Sequence, residues 1–112
     1  MSDKIRVLIV DDVATTRENI VKLMQFQPGI EAVGQAQNGE EAIFQAKALR
    51  PDVVLMDINM PEKDGLQAIQ EIEKLDLGVR IIALSGYDDA DLIFRAMKLG
   101  AKGYVLKTMA SA

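Results

Sequence analysis

Strand-length apolar runs alternate with helix-period stretches along the whole chain, and this alternation limits the fold more than any other feature. Ile5–Val10 (IRVLIV) is rich in β-branched residues and ends at two acids, as a buried strand does. Ala14–Phe26 follows at helical spacing, with Ile20, Val21 and Met24 on one face, and Pro28-Gly29 stops it. Ile30–Gln37 reads as a weaker strand. Gly39–Leu49 reads as a helix with Ala42, Ile43, Ala46 and Leu49 in register, ending before Pro51. Asp52–Met56 is the most apolar strand. After the loop from Met60 to Gly65, residues Leu66, Ile69, Ile72 and Leu75 form a helical stripe, which Gly78 ends. Arg80–Leu84 is a strand, Asp89–Leu99 a helix with Gly100 just past its end, and Gly103–Leu106 the last strand. Strict alternation predicts an α/β fold: one domain with a doubly wound, five-stranded parallel sheet and helices on both faces. Lys107–Ala112 suffices only for the start of a further helix, so a final helix is expected to be truncated or absent.

Composition removes whole classes of chemistry. The 112 residues include no His and no Cys. That excludes disulfides, thiol catalysis, zinc–thiolate and Fe–S sites, a Ser-His-Asp triad and imidazole ligation. Carboxylates, hydroxyls, Lys, backbone groups and a hard, oxygen-bound cation remain. A net charge of −4 argues against direct nucleic-acid binding, which needs a basic face. The longest apolar runs, Val7–Val10, Val53–Met56 and Ile81–Leu84, fall far short of the ~20 residues of a membrane span. Met1–Arg6 leads straight into a strand, so no signal peptide and a cytoplasmic location are expected.

In open parallel α/β sheets, sites form beyond the C-terminal ends of the strands, near the point where the strand order reverses. Here the first strand ends at Asp11-Asp12, the third at Asp57, the fourth at Ser85-Gly86 and the fifth at Lys107. In a flavodoxin-like order, 2-1-3-4-5, the first and third strands are neighbours. Asp11, Asp12 and Asp57 then form one cluster, with Ser85 and Lys107 on its far side. Asp12 has an alternative role as a cap for the first helix. Asp57 does not, because the next helix begins only near Gly65. Carboxylates within about 4–6 Å repel one another, and a single ammonium does not balance three of them. A divalent cation with oxygen ligands, Mg²⁺ above all, resolves this and leaves positions for phosphate oxygens. Carboxylate, Mg²⁺, hydroxyl and Lys together suit phosphoryl transfer, in which an Asp can form an aspartyl phosphate.

With Val10-Asp11-Asp12, Leu55-Met56-Asp57-Ile58-Asn59-Met60-Pro61, Asp64-Gly65, Leu84-Ser85-Gly86 and Gly103-Tyr104-Val105-Leu106-Lys107 in this order, the chain resembles the CheY-like receiver domains of two-component response regulators. The resemblance implies that Asp57 is the phosphoacceptor, with Ser85 and Lys107 contacting its phosphoryl group. It implies a Mg²⁺ (or Mn²⁺) site from Asp11, Asp12, Asp57 and the backbone carbonyl of Asn59. Ser85 and Tyr104 match the switch positions, and Asn59 and Tyr87 match positions that tune dephosphorylation. The implied partners are a histidine kinase or phosphotransfer protein and a C-terminal output domain, DNA-binding in one subgroup, outside this chain. Such a domain is a signalling module rather than an enzyme, catalysing only its own phosphorylation and dephosphorylation.

Two positions depart from the pattern. Thr108 follows the lysine where many receivers have Pro; the resemblance implies a bond that is often cis, whereas the cost of a non-proline cis bond, about 2.5–4 kcal/mol, by itself predicts a trans Lys107–Thr108 bond, and both isomers stay open. Absence of a fifth helix would leave an apolar strip of sheet exposed, predicting a homodimer or exchange of elements between chains. Three alternatives are weaker. A haloacid-dehalogenase-type phosphatase needs its nucleophile on the first strand and an Asp where Asn59 stands. A flavin binder needs a Gly/Ser/Thr-rich loop where Asp11-Asp12-Val13-Ala14 stands. A degenerate receiver acting only as a dimerising interaction module would not need Asp11, Asp12, Asp57, Ser85 and Lys107 intact.

Overall fold

The expected alternation is realised in a computed structural model, which describes residues 4–60, 64–86 and 89–107. In chain order the elements are β1 (Ile5–Val10), α1 (Ala14–Gln25), β2 (Ile30–Ala36), α2 (Gly39–Leu49), β3 (Val53–Asp57), α3 (Asp64–Lys74), β4 (Arg80–Ser85), α4 (Ala90–Leu99) and β5 (Gly103–Leu106). The strands pair in parallel in the order β2-β1-β3-β4-β5, as predicted.

Register decides which side chains meet. Val10 pairs with Met56, Asp57 with Leu84, and Ser85 with Leu106. One step further along these ladders, Asp11 stands beside Asp57 and Lys107 follows Leu106. The residues predicted to form a site therefore end level at one edge, on either side of the β1/β3 reversal.

The two faces of the sheet are covered unequally. Leu8, Val10, Val54, Met56, Ile81 and Ala83 pack under α2, α3 and α4, which contribute Ala42, Ala46, Leu66, Ile69, Ile72, Ile93 and Ala96. On the opposite face Val7, Ile9 and Leu84 pack with Ile20, Val21 and Met24 of α1. Among the described residues α1 is the one helix on that face, and Val53, Leu55 and Val105 are only half-buried there.

Element ends differ by a residue or two from expectation, each for a local reason. Asp52 stays outside β3 because its main-chain N–H donates to the Arg6 carbonyl while its Oδ2 accepts from the Arg6 N–H, closing the ladder's entrance. Asp57 joins the strand instead. Phe26 ends α1, its N–H donating to the Leu23 carbonyl while the Gln27 N–H donates to the Met24 carbonyl. Asp89 is the N-cap of α4, its Oδ1 accepting from the Leu92 N–H at 3.1 Å. Leu75 falls beyond α3 and is more than a third exposed, so the stripe ends at Ile72. Tyr87, the Lys107–Thr108 bond and residues 108–112 lie outside the described residues, and Lys107, the last described residue, is already helical. No described helix is long and apolar enough to cross a membrane.

Candidate functional site

Asp11 is fully buried at the end of β1. Its Oδ1 accepts from the Val13 N–H at 2.8 Å, closing the turn into α1, and its Oδ2 lies 2.8 Å from Lys107 Nζ. Asp57, fully buried at the end of β3, divides its oxygens the same way. Oδ1 accepts from the Asn59 N–H at 2.8 Å, and Oδ2 accepts from Lys107 Nζ at 3.1 Å. Asp12 is exposed beside them. It does not cap α1: the N-cap is Val13, with no side-chain hydrogen bond, so the capping alternative is not realised.

Gly65 shows how tightly the backbone is drawn in at this corner. A β-carbon there would overlap the Asp57 carbonyl oxygen, so α3 can start against the end of β3 only with glycine in this place. Next to it, the Asp64 carboxylate accepts from the Gly39 N–H at the start of α2. The acid strand end, α3 and α2 are thereby locked together.

The electrostatics follow from burial. Removal from water pushes the Asp57 carboxyl up to about 6 from its ordinary 3.8. The Asn59 N–H opposes the shift, the Asp11 charge adds to it, and Lys107 opposes it. Burial, the largest influence on Lys107, works against its charge, but contacts with Asp11 and Asp57 together outweigh it and hold the ammonium above its ordinary range.

Carboxylate oxygens of Asp11, Asp12 and Asp57 lie within 4.8 Å of one another. Asp11 Oδ2 is buried and accepts no aligned hydrogen bond; its short contact with Lys107 is an ion pair only. Three acids around one ammonium, all oxygen donors and one of them without an aligned donor, fit a hard divalent cation.

The remaining predicted residues are placed as follows. Ser85 is fully buried at the end of β4, one strand from Asp57. Asn59 is half-buried, and its side-chain Oδ1 accepts from the Gly86 N–H at 2.6 Å. Tyr104 pairs in register with Ala83 on β5 and is about half exposed, at 49%. Tyr87 lies outside the described residues. Sequence reasoning missed Arg17, whose Nη1 donates to the Asp11 carbonyl at 2.6 Å and whose Nε donates to Gln35 Oε1 at 3.2 Å. The available signal was an arginine in the early part of the helix after the acid pair, within reach of the strand end.

A family model described as the response regulator receiver domain matches residues 7–112. Chemotaxis protein CheY of Thermotoga maritima is 43% identical over 102 residues, covering 91% of this chain and 84% of that protein. The nitrate/nitrite response regulator protein NarL of Escherichia coli is 37% identical over 92% of this chain, and transcriptional regulatory protein DegU of Brevibacillus brevis 36% over 96%. The chain spans only 48% and 45% of the lengths of those two. Among solved structures, the signal receiver domain of a NarL response regulator from Mycobacterium tuberculosis superposes with a TM-score of 0.88 at 32% identity, covering 97% of this chain and 91% of that one. The response regulator domain of Thermotoga maritima CheB gives 0.86 at 36%, covering 97% and 82%. Receiver domains are signalling domains of two-component systems, with phosphorylation and Mg²⁺ binding among their family features. Sheet order, acid corner and family match thus agree over nearly the whole length, and the chain belongs to the response regulator receiver domain family.

Proposed function

We propose that Asp57 takes a phosphoryl group from a partner histidine kinase or phosphotransfer protein, and that the modified site switches a nearby surface to control an output domain or partner. One observation carries this: the Asp57 carboxylate is buried at the end of the central strand, one oxygen held by the Asn59 amide and the other by Lys107. With its carboxyl near 6, Asp57 is mostly ionised at neutral pH and able to act as a nucleophile.

An Asp57 oxygen attacks the phosphorus of a phosphohistidine on the partner. The P–N bond breaks, the partner's imidazole, already protonated on its other nitrogen, leaves as the neutral ring, and a mixed carboxylic–phosphoric anhydride remains on Asp57. Lys107 keeps its ammonium against the phosphoryl oxygens as charge shifts onto them. Asp11, Asp12, Asp57 and the Asn59 backbone carbonyl would hold Mg²⁺ or Mn²⁺, which supplies further neutralisation of phosphoryl charge. Water attack on phosphorus returns the carboxylate and inorganic phosphate, at a rate tuned by Asn59 and Tyr87. Contact of the Ser85 hydroxyl with the phosphoryl group, followed by Tyr104, shifts the population toward the signalling arrangement.

Relatives about twice this length are named transcriptional regulatory proteins, which fits an output domain acting in transcription, DNA-binding in our reading; a net charge of −4 fits no direct nucleic-acid contact through this domain. A reducing, cytoplasmic setting fits a chain with no cysteine. The test is incubation with Mg²⁺ and a small acyl phosphate, read by intact mass. One phosphoryl adduct is expected, absent in Asp57→Ala. A second reading, an interaction module dimerising through the half-buried strip of Val53, Leu55 and Val105, is favoured instead if wild type takes no adduct and sediments as a dimer.

A further inference from the structure

Between Asp57 and the segment leaving β4 lies a contact that phosphoryl acceptance alone does not require. The Asn59 main-chain N–H donates to Asp57 Oδ1 at 2.8 Å, while the Asn59 side-chain Oδ1 accepts from the Gly86 N–H at 2.6 Å. One residue thereby ties the acceptor carboxylate to the residue after Ser85. Gly86 also adjoins Lys107. A β-carbon on Gly86 would have Asn59 Oδ1 at 3.7 Å and Lys107 Cδ at 4.0 Å as its neighbours. Gly86 thus stands between the two residues that hold the two oxygens of Asp57.

We propose that the Asn59 carboxamide is a latch: it occupies the Gly86 N–H while Asp57 is unmodified, and a phosphoryl group on Asp57 takes that donor from it. The proposal rests on Asp57 being the phosphoacceptor. Phosphorylation adds charged oxygens to Asp57, whose carboxylate is held by Asn59 and Lys107, the same two residues that neighbour Gly86. A charged acceptor makes a hydrogen bond roughly twice as strong as a neutral carboxamide does. The exchange favours the phosphoryl group, releases the Asn59 side chain and frees the Ser85-Gly86 segment to follow. The latch therefore holds the resting state by the same donor that the signalling state uses, and the two states compete for one hydrogen. A carboxamide suits this position because a carboxylate would add a fourth negative charge beside Asp11, Asp12 and Asp57.

The test compares wild type, Asn59→Ala and Asn59→Asp by amide NMR without metal, and then by titration with beryllofluoride at saturating Mg²⁺. In Asn59→Ala the Gly86 amide proton is expected to move upfield and exchange faster. Beryllofluoride should bind about three- to tenfold more tightly, the worth of one ordinary hydrogen bond no longer displaced. Asn59→Asp keeps an acceptor and should keep the downfield Gly86 signal, which preserves the test if the alanine variant folds poorly. An unmoved Gly86 amide in Asn59→Ala, or beryllofluoride affinity equal to or weaker than wild type, overturns the latch alone, provided wild type forms its adduct. A wild type that takes neither phosphoryl group nor beryllofluoride overturns the phosphoacceptor reading, and the latch with it.

Discussion

Lys107 reaches across fifty residues of sequence to donate to Asp57 Oδ2 at 3.1 Å, with Asp11 Oδ2 2.8 Å from the same nitrogen. A single ammonium therefore stands between two buried carboxylates, and its removal leaves both exposed to each other's charge. Lys107→Met is expected to destabilise the metal-free protein by about 1–3 kcal/mol at pH 8, the penalty for buried charge without its partner. The loss shrinks toward pH 5, where Asp57 takes up a proton. Urea denaturation at the two pH values checks this, and equal losses at both would contradict it.

The raised carboxyl of Asp57 has a definite sign for stability. The folded chain holds this proton up to about pH 6, whereas the ordinary carboxyl loses it near 3.8. The folded state binds the proton more tightly, so this group's contribution is fully present below about pH 4, falls as pH rises to about 6, and is level above that. Asp57→Asn removes the penalty of burying the charge and should raise stability at pH 7.5 by about 1–3 kcal/mol, at 1.4 kcal/mol for each unit of pKa. Thermal unfolding in the presence of a chelator, with both proteins scanned from pH 4 to pH 8, should show the gap closing at the acid end.

Asp12 is exposed while its two neighbours are buried, which separates binding from folding. Asp12→Ala should change metal-free stability by no more than about 0.5 kcal/mol, as surface substitutions do. Wild type should gain stability with added Mg²⁺ in proportion to the logarithm of its concentration above Kd, and the variant should lose most of that gain. Melting temperature against Mg²⁺ concentration reads both effects, and an unchanged Mg²⁺ response in Asp12→Ala would remove Asp12 from the ligand set.

Gly65→Ala places a methyl group against the Asp57 carbonyl oxygen. Either α3 or the end of β3 must shift, a strain of about 1–3 kcal/mol by the usual cost of overpacking. Because the displaced atom belongs to Asp57, phosphoryl uptake should fall together with stability. Denaturation midpoints and the yield of acyl phosphate, measured on the same preparation, test the pairing.

Much of the architecture can be read from residue patterns because it rests on periodic signals. Val7, Leu8, Ile9 and Val10 are buried on both sides of the sheet, which is why the run is continuously apolar rather than alternating. Ala42 and Ala46 mark the sheet-facing side of α2 by spacing alone. The acid corner is equally legible, because sites in this topology gather at strand ends and register carries Asp11 to Asp57. The contacts of Arg17 with the Asp11 carbonyl and of Asn59 with the Gly86 amide are not legible. Each joins a side chain to a distant main-chain group, and its geometry depends on turns that leave no period in the sequence. The ambiguity over Asp12 was of the same kind: an acid before a helix suits a cap or a ligand equally until its direction is known.

β5 has four residues, pairs with β4 alone at the edge of the sheet, and contains no fully buried residue. Segments with so few buried contacts open at the lowest free energy in a native protein. Yet this strand carries Tyr104 and delivers Lys107 to the acid corner. The ammonium is thus a clasp on a short edge strand, and the charge of Asp57 sets how firmly that clasp closes. Amide protection along Gly103–Leu106 is therefore expected to rise and fall with the charge held at the acid corner, so that the fraying of an edge strand gauges what occupies it.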